Sequence, residues 1–417
     1  MHRNQAARRT AWLSDVEGQW DKLESFCAGN PVVSLAGDAL TVAPGCLFVF
    51  GGDAVDRGPA GQRILRALCA VKSRQPEQVV LLAGNRDINK LRLCRELRGA
   101  PPSRTPPAVR AAPRGEILKW IFENTMGAKQ AFRHRAAELA ARELVTDVTD
   151  DAVAQSYLDD LGEGGAMRGF LAHAQLAHRE GITLYLHGGV TAQNLGVVPG
   201  CARCSSPDQW AAGLNGFYRQ QLQAFLADDQ RDPQRTPAWQ ELVAYQAPLS
   251  GTRLNQSSVV YARPTDDDGN PLLPQRSVEE RLAEAGIFRV VVGHTPSGDS
   301  PAVLRGETLE LVLADNSYGR QERGSQLLLD DDGLEVTGSS VLDDGTVEEL
   351  RFRLERAGAA AGPVGRLAEE TGELVKSPLA RGSHLLFRSL PGYRTAQRSV
   401  AGEELAKLTL VEPRRQG

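Results

Sequence analysis

The stretch "CLFVFGGDAVDRG", Cys46 to Gly58, decides how this chain folds. Four apolar residues run into Gly51 and Gly52, and a polar loop follows carrying Asp53, Asp56 and Arg57. Just beyond it, "GQRILRALCAVKSR" has the apolar spacing of a helix. A buried strand that breaks into a polar loop before a helix is where an α/β protein usually places its chemistry. The pattern recurs on both sides. Toward the N-terminus, "TAWLSDVEG" brings Asp15 and Glu17 to a strand end, with a helix from about Gln19. Downstream, "QVVLLAGNRD" ends on Asn85, Arg86 and Asp87, "ITLYLHGGV" on His187, and "FRVVVGHTPSGDS" on His294. Strand–loop–helix repeats of this kind predict an α/β sheet with its functional groups at the strand ends.

Composition sets the class. At 417 residues and 41% apolar content the chain can build a full core, as one large domain with elaborations or two ordinary ones. A net charge of −4 argues against a nucleic-acid duplex or a membrane surface as partner. The basic N-terminal stretch lacks the apolar segment of a secretory signal, and no apolar run is long enough for a bilayer. Six cysteines in so long a chain are no disulfide framework, so a reducing cytoplasm is expected. Cys201 and Cys204 lack a second ligand pair nearby and read as thiols rather than a zinc site.

The alternation changes after Pro101. A Pro/Ala/Arg-rich loop to Gly115 leads into helical periodicity through "GEILKWIFENTMGAKQAFRHRAAELAARELV" and "AMRGFLAHAQLAHREG". This predicts a helical insertion over about 97–180 within a domain spanning 10–353. His173 and His178 lie in it five apart, off the spacing of a helical metal pair, and read as surface or core residues. Later, "SQLLLDDDGLEVTGSSVLDDGTVEELRFRL" holds three alternating runs joined at Asp332-Gly333 and Asp344-Gly345, a strong hairpin signal. Residues 354–417 form a C-terminal extension, β-rich from about 363, in which no motif suggests a role.

The strand-end residues suit a two-metal centre. Asp53 is the natural bridging carboxylate between ions about 3.5–4 Å apart. Asp15 and Glu17 complete an all-carboxylate shell suited to Mg or Mn. Asn85, His187 and His294 complete a mixed shell suited to Mn, Fe or Zn. Singly, each has an ordinary reading, as a helix cap, a core histidine or a surface ion pair. Together and in order they are specific.

The combination resembles the calcineurin-like metallophosphoesterase superfamily, nearest its branch of PPP-type serine/threonine phosphatases and symmetrical diadenosine tetraphosphatase. "GGDAVDRG" is similar to that branch's GDxVDRG, and "HGG" and "GHTP" to its later motifs. "SSVVYARP" resembles its phosphate-binding segment, with Arg263 as the arginine, and "LADNSYG" its last strand, placing Asp315 and Tyr318 near the site. The resemblance implies a four-layer α/β/β/α sandwich and two divalent ions, with a metal-bridging hydroxide as nucleophile. It implies phosphate binding by Arg57 and Arg263, with Tyr318 beside them. The implied substrate is a phosphorylated small molecule, nucleotide or phosphoprotein.

Two departures stand out. Glu17 occupies the histidine position of the first motif, D-x-H-G. Arg86 occupies that of the general acid in the third, G-N-H-[ED]. A carboxylate can ligate Mn or Mg, but a guanidinium stays charged and cannot donate a proton. Arg86 would then stabilise leaving-group charge, with Asp56 beside it. Alternatively, Glu17 and Arg86 pair across the first metal position, leaving a weakened or silent module that binds a phosphorylated ligand.

Overall fold

The computed structural model describes residues 8–144, 146–228, 235–249, 254–315, 317, 319–320, 324–356, 362–392 and 394–417. Its strands in chain order begin with β1 (Thr10–Leu13), a β2 (Val33–Ala36) and β3 (Ala39–Val42) hairpin, β4 (Leu47–Phe50), β5 (Val79–Leu82) and β6 (Ala174–Gln175). They continue with β7 (Ala177–Glu180), β8 (Thr183–Leu186), β9 (Arg289–Pro296), β10 (Ala302–Arg305), β11 (Glu310–Asp315), β12 (Gln326–Leu329), β13 (Gly333–Val341) and β14 (Val347–Glu355). One sheet has the order β14-β13-β12-β1-β4-β5-β6 and a second the order β10-β11-β9-β8-β7. β1, β4 and β5 are parallel neighbours in the first, and β8 and β9 are parallel neighbours in the second. Parallel neighbours end on the same edge, which is why the loops after them meet.

Residue alternation along each strand builds the layers. Trp12, Leu47, Val49, Val80 and Leu82 of the first sheet share an apolar cluster with Tyr185, Val291 and Val312 of the second. Their neighbours Ala11, Leu13, Phe48, Phe50, Val79 and Leu81 belong instead to the cluster formed with the helices. Leu184, Leu186, Val290 and Val292 do the same for the second sheet. The sheets therefore face each other and carry helices outside, which is the α/β/β/α sandwich. Trp12 stacks on Tyr185 across the gap, with ring centroids 5.8 Å apart and 19° between planes.

Between β5 and β6 lie the helices Arg114–Asn124, Ala131–Glu143, Asp150–Leu161 and Ala166–His173. The sequence reading carries helix through "AMRGFLAHAQLAHREG", and here the structure differs. The chain leaves the helix at His173 and forms β6 and β7, one for each sheet. Asn215 makes this crossover possible. Its side-chain oxygen accepts from the amides of Leu176 and Ala177, both 3.0 Å, and its Nδ2 donates to the Ala177 carbonyl at 2.8 Å. A partner nearly forty residues away thus satisfies the backbone between two strands.

C-terminal to β14, β15 (Leu367–Ala368), β16 (Leu374–Pro378), β17 (His384–Leu390), β18 (Arg394–Val400) and β19 (Leu410–Val411) form a separate sheet, ordered β18-β17-β16-β15-β19. Val375, Leu386, Val400 and Leu405 extend the cluster between the two main sheets. Among the described residues, no helix is long and apolar enough to cross a membrane.

Because Trp12 is 2% exposed and fills the space between the sheets, Trp12→Ala is expected to cost about 3–5 kcal/mol of unfolding free energy. Chemical denaturation followed by circular dichroism checks this. A loss under about 1 kcal/mol would mean that the sheets do not depend on this contact.

Candidate metal centre

The first sheet delivers carboxylates and an amide to the shared edge, and the second delivers imidazoles. Asp15 follows β1, Asp53 follows β4, Asn85 follows β5, His187 follows β8, and His294 lies near the end of β9. The loops that hold them are tight. Asp15, Glu17, Asp53, Asp56 and His294 all have positive φ, between 50° and 104°, and they are five of the seven such non-glycine residues described. Each costs on the order of 1–3 kcal/mol unless its surroundings fix it. That five of them converge on one buried spot makes it the candidate functional centre. Gly52, at φ 94°, shows how close the packing is, because a Cβ there would lie 2.6 Å from the Gly84 nitrogen and 2.9 Å from His187 Nδ1.

Asp87 fastens the loops together. Its Oδ2 accepts from the amides of Asp53 and Gly84, both 2.9 Å, and its Oδ1 from that of Ala54 at 3.0 Å. Burial and the nearby Asp53 push this carboxyl up to about 7 against those three bonds. The Arg86 amide then donates to Asp53 Oδ1 at 2.8 Å. On the other side, Asp15 Oδ2 accepts from the His294 amide at 3.2 Å, joining the two sheets at their edge. Burial, with Asp315 and Asp53 nearby, raises the Asp15 carboxyl well above the usual range.

Asp53, His187 and His294 are buried, with ligand atoms all within 4.8 Å of one another. His187 Nδ1 lies 2.7 Å from the Gly51 carbonyl, which can only accept, so the proton is on Nδ1. Its Nε2 is left facing Asp53 Oδ1 at 3.4 Å and Asn85 Oδ1 at 3.2 Å. His294 bonds to the backbone of Tyr261, while its Nε2 is buried with no hydrogen-bond partner among the described residues. Burial first, then Arg263, His187 and Arg86, lowers its pKa well below the ordinary value, so the ring is neutral. Two imidazoles tied to backbone by one nitrogen, grouped with the Asp53 carboxylate, form a set of donors that fits a divalent ion.

The surroundings of Glu17 are different. Arg86 Nε sits 2.5 Å from Glu17 Oε1 and 3.5 Å from Asp53 Oδ2, so its guanidinium lies between two carboxylates assigned to the first ion. Arg57 reaches Glu17 Oε2 at 3.2 Å. Burial still raises the Glu17 carboxyl to about 7, opposed by Arg86 and Arg57. Asp56, expected beside Arg86, accepts from Lys90 Nζ at 2.7 Å and lies 3.5 Å from Arg86 Nη1. The structure thus gathers Asp53, Asn85, His187 and His294 around one point, and gathers Glu17, Asp53 and Asp56 around a guanidinium. Asp15 stands on the sheet-to-sheet bond. Arg263 is close enough to His294 to shift its titration, and Tyr318 lies outside the described residues.

Sequence reasoning missed Lys90 and Lys22. Lys90 is 1% exposed and also donates to the Arg86 carbonyl at 2.8 Å. Its spacing of four from Arg86 in "NRDINK" was the available signal. Lys22, 4% exposed, feels Glu17, Asp315, Arg57 and Asp15, yet nothing in its sequence context separates it from a surface lysine. Cys201 and Cys204 are free thiols, the first exposed.

No family model and no curated relative matches the chain. Solved structures similar to it include the cold-active protein-tyrosine phosphatase of a psychrophilic Shewanella species, at 16% identity and a TM-score of 0.43, covering 82% of this chain and 80% of that one. A protein serine/threonine phosphatase from Saccharomyces cerevisiae, with similarity to human phosphatase PP5, aligns at 13% identity and a TM-score of 0.37 over 87% and 84% of the two chains. A metallophosphoesterase from Sphaerobacter thermophilus aligns at 12% identity and 0.30 over 84% and 89%.

Asp87→Ala strands three buried amides, at about 1–3 kcal/mol each, so a loss of at least about 3 kcal/mol in unfolding free energy is expected. Asp87→Asn keeps one acceptor oxygen and should lose less. Equal losses in urea melts of the two variants would show that the amide bonds are not what holds the loops.

Proposed function

We propose that this chain is a metal-dependent phosphoesterase that holds one divalent ion, with the Arg86 guanidinium standing in the position of a second. The observation that carries this is the buried group Asp53, His187 and His294, its inward nitrogens presented by backbone bonds on the far side of each ring. With Asn85 the donor set is two nitrogens and two oxygens, which suits Mn, Fe or Zn. A bound ion would supply Lewis acidity, polarising a phosphoryl oxygen and lowering the pKa of a water.

The rest is done by the chain. Arg57 keeps about a third of its side chain exposed while Glu17 holds one end of its guanidinium, so it can reach a phosphate from a fixed position. Arg263, beside His294, supplies a second planar donor, and planar guanidiniums suit bidentate phosphate contact. Arg86 is anchored by Glu17, Asp53 and Asp56 and places a permanent charge where negative charge develops. It cannot protonate a departing oxygen. Acid catalysis typically contributes 10²–10⁴-fold, so substrates that leave as stable anions, such as aryl esters and anhydrides, should be favoured over alkyl monoesters. The likeness of the motifs to calcineurin-like metallophosphoesterases supports the same reading.

A second reading is favoured by the 2.5 Å Glu17–Arg86 pair, which also suits a silent module that grips a phosphorylated ligand with Arg57 and Arg263. Metal analysis after dialysis against Mn²⁺ separates the two. One equivalent, lost in Asp53→Asn, together with hydrolysis of p-nitrophenyl phosphate, is the expected result. Two equivalents would mean that Arg86 does not fill a metal position, and none would leave the binding module. Arg86→Ala should lower turnover of the aryl ester on the order of 10²-fold or more. An unchanged or faster rate would make Arg86 a plug.

A further inference from the structure

A cleft of about 670 Å³ opens beside the centre. Arg263 and Thr295 form its inner end, residues 265–269 one wall, and Leu390, Pro391, Gly392 and Arg394 the other. This volume is in the range of sites for small organic ligands, well beyond what a bare phosphate needs. Thr295 follows His294 directly, and Arg263 acts on the same imidazole. Under the phosphoesterase reading, a phosphate held at the centre would extend its organic portion into this cleft.

The inner end presents hydrogen-bonding groups left for a ligand. Thr295 is 1% exposed, and its Oγ1 has no hydrogen-bond partner among the described residues. Gln256 spends its Nε2 on the Arg263 carbonyl at 3.2 Å, leaving a buried Oε1 that can only accept. The wall loop adds negative charge. Asp266 is used internally, its Oδ1 accepting from the amides of Asp268 and Asn270 at 3.1 and 2.8 Å. Asp267 and Asp268 are exposed, and no ion pair among the described residues neutralises either. Opposite them, Arg394 turns its Nε onto the Pro391 carbonyl at 3.3 Å. Among the described lining residues three aspartates stand against Arg263 and Arg394, so the cleft is net negative even with both arginines counted, and it is rich in acceptors.

We infer that the organic portion of the substrate is cationic, an ammonium or guanidinium group carried on the phosphoester and read by Asp267 and Asp268. This rests on the phosphoesterase reading and narrows its substrate class. One charge pattern serves the whole ligand, with guanidiniums at the phosphate end and carboxylates at the other.

The test uses the full chain with Mn²⁺ and three non-hydrolysable benzylphosphonates, bearing para-trimethylammonium, para-methyl or para-carboxylate groups. Calorimetry should show the ammonium probe binding about tenfold more tightly than the methyl probe, as expected for two exposed carboxylates acting on one charge. The carboxylate probe should bind weakest, and in Asp267→Asn/Asp268→Asn the ratio should fall toward one. Equal affinities for all three probes, or a ratio unchanged in the double variant, would overturn the inference. So would binding of none of them. Hydrolysis of p-nitrophenyl phosphate is read separately, so selective binding without turnover would sink the enzyme reading and keep the charge rule for a bound phosphorylated ligand. A lysine-flanked against an alanine-flanked phosphonopeptide then identifies the source. A further gain over the benzyl probe points to a peptide, no gain points to a small ammonium ester, and both outcomes retain the charge rule.

Discussion

The Asp87 carboxylate accepts from the amides of Asp53, Ala54 and Gly84, and so binds the loop leaving β4 to the loop leaving β5. These backbone donors lie beyond the ends of β4 and β5 and are buried, so the carboxylate replaces the ladder partners that the strands no longer supply. Everything placed by those loops follows. Asp53 can hold a positive φ of 57° because its amide is fixed, and its Oδ1 is then set for the Arg86 amide. Asn85 and Arg86 in turn begin a short helix whose next turn delivers Lys90 beneath Asp56. One carboxylate thus orients both a candidate ligand set and the charged group next to it.

Electrostatics explains why the two unusual residues come as a pair. Glu17, Asp53 and Asp56 are each 5% exposed or less, and leaving such carboxylates uncompensated costs several kcal/mol each. A second ion would be one compensation. A guanidinium is another, and because it is covalently attached it is present whether or not metal is available. Arg86 touches all three carboxylates, and Lys90 shares the third. The exchange has a chemical consequence, since a fixed cation stabilises charge but cannot shuttle a proton. Glu17 and Arg86 together keep the local charge balanced, and under the proposed reading that fixed cation would favour leaving groups that need no proton.

Much of this architecture was legible because apolar runs end abruptly in glycine and aspartate. β4, β5, β8 and β9 all lie inside the runs that the sequence marks, and the helix Gly61–Arg74 covers "GQRILRALCAVKSR" from end to end. The two turns at Asp332-Gly333 and Asp344-Gly345 set β12, β13 and β14 in register. Other features lacked a local cause. β6 and β7 depend on Asn215, and the β2–β3 hairpin is two four-residue strands, too short for periodicity to declare. At the site, residue types identified which side chains meet, but not how they share protons and charge. Whether Glu17 faces an ion or Arg86 is decided by side-chain direction, which no spacing encodes.

The C-terminal sheet shows how far such dependence extends. Residues 354–417 carry no motif, yet Lys376 of β16 is fully buried and donates to the Ser297 carbonyl, three residues beyond His294. Burial lowers this amine to about 7, with Asp299 opposing the shift. Gln397 of β18 donates to Asp299 Oδ2 at 2.9 Å and to the Val341 carbonyl at 3.0 Å, while Asp299 Oδ2 also accepts from the Val341 amide at 3.0 Å. The loop after His294 is therefore clamped from two sides, by the first sheet and by the C-terminal one. The same β17–β18 hairpin that supplies Gln397 also forms the outer wall of the cleft. Displacing that hairpin would pull on the loop that carries His294, so the wall of the cleft is mechanically joined to the strand end that presents the His294 imidazole.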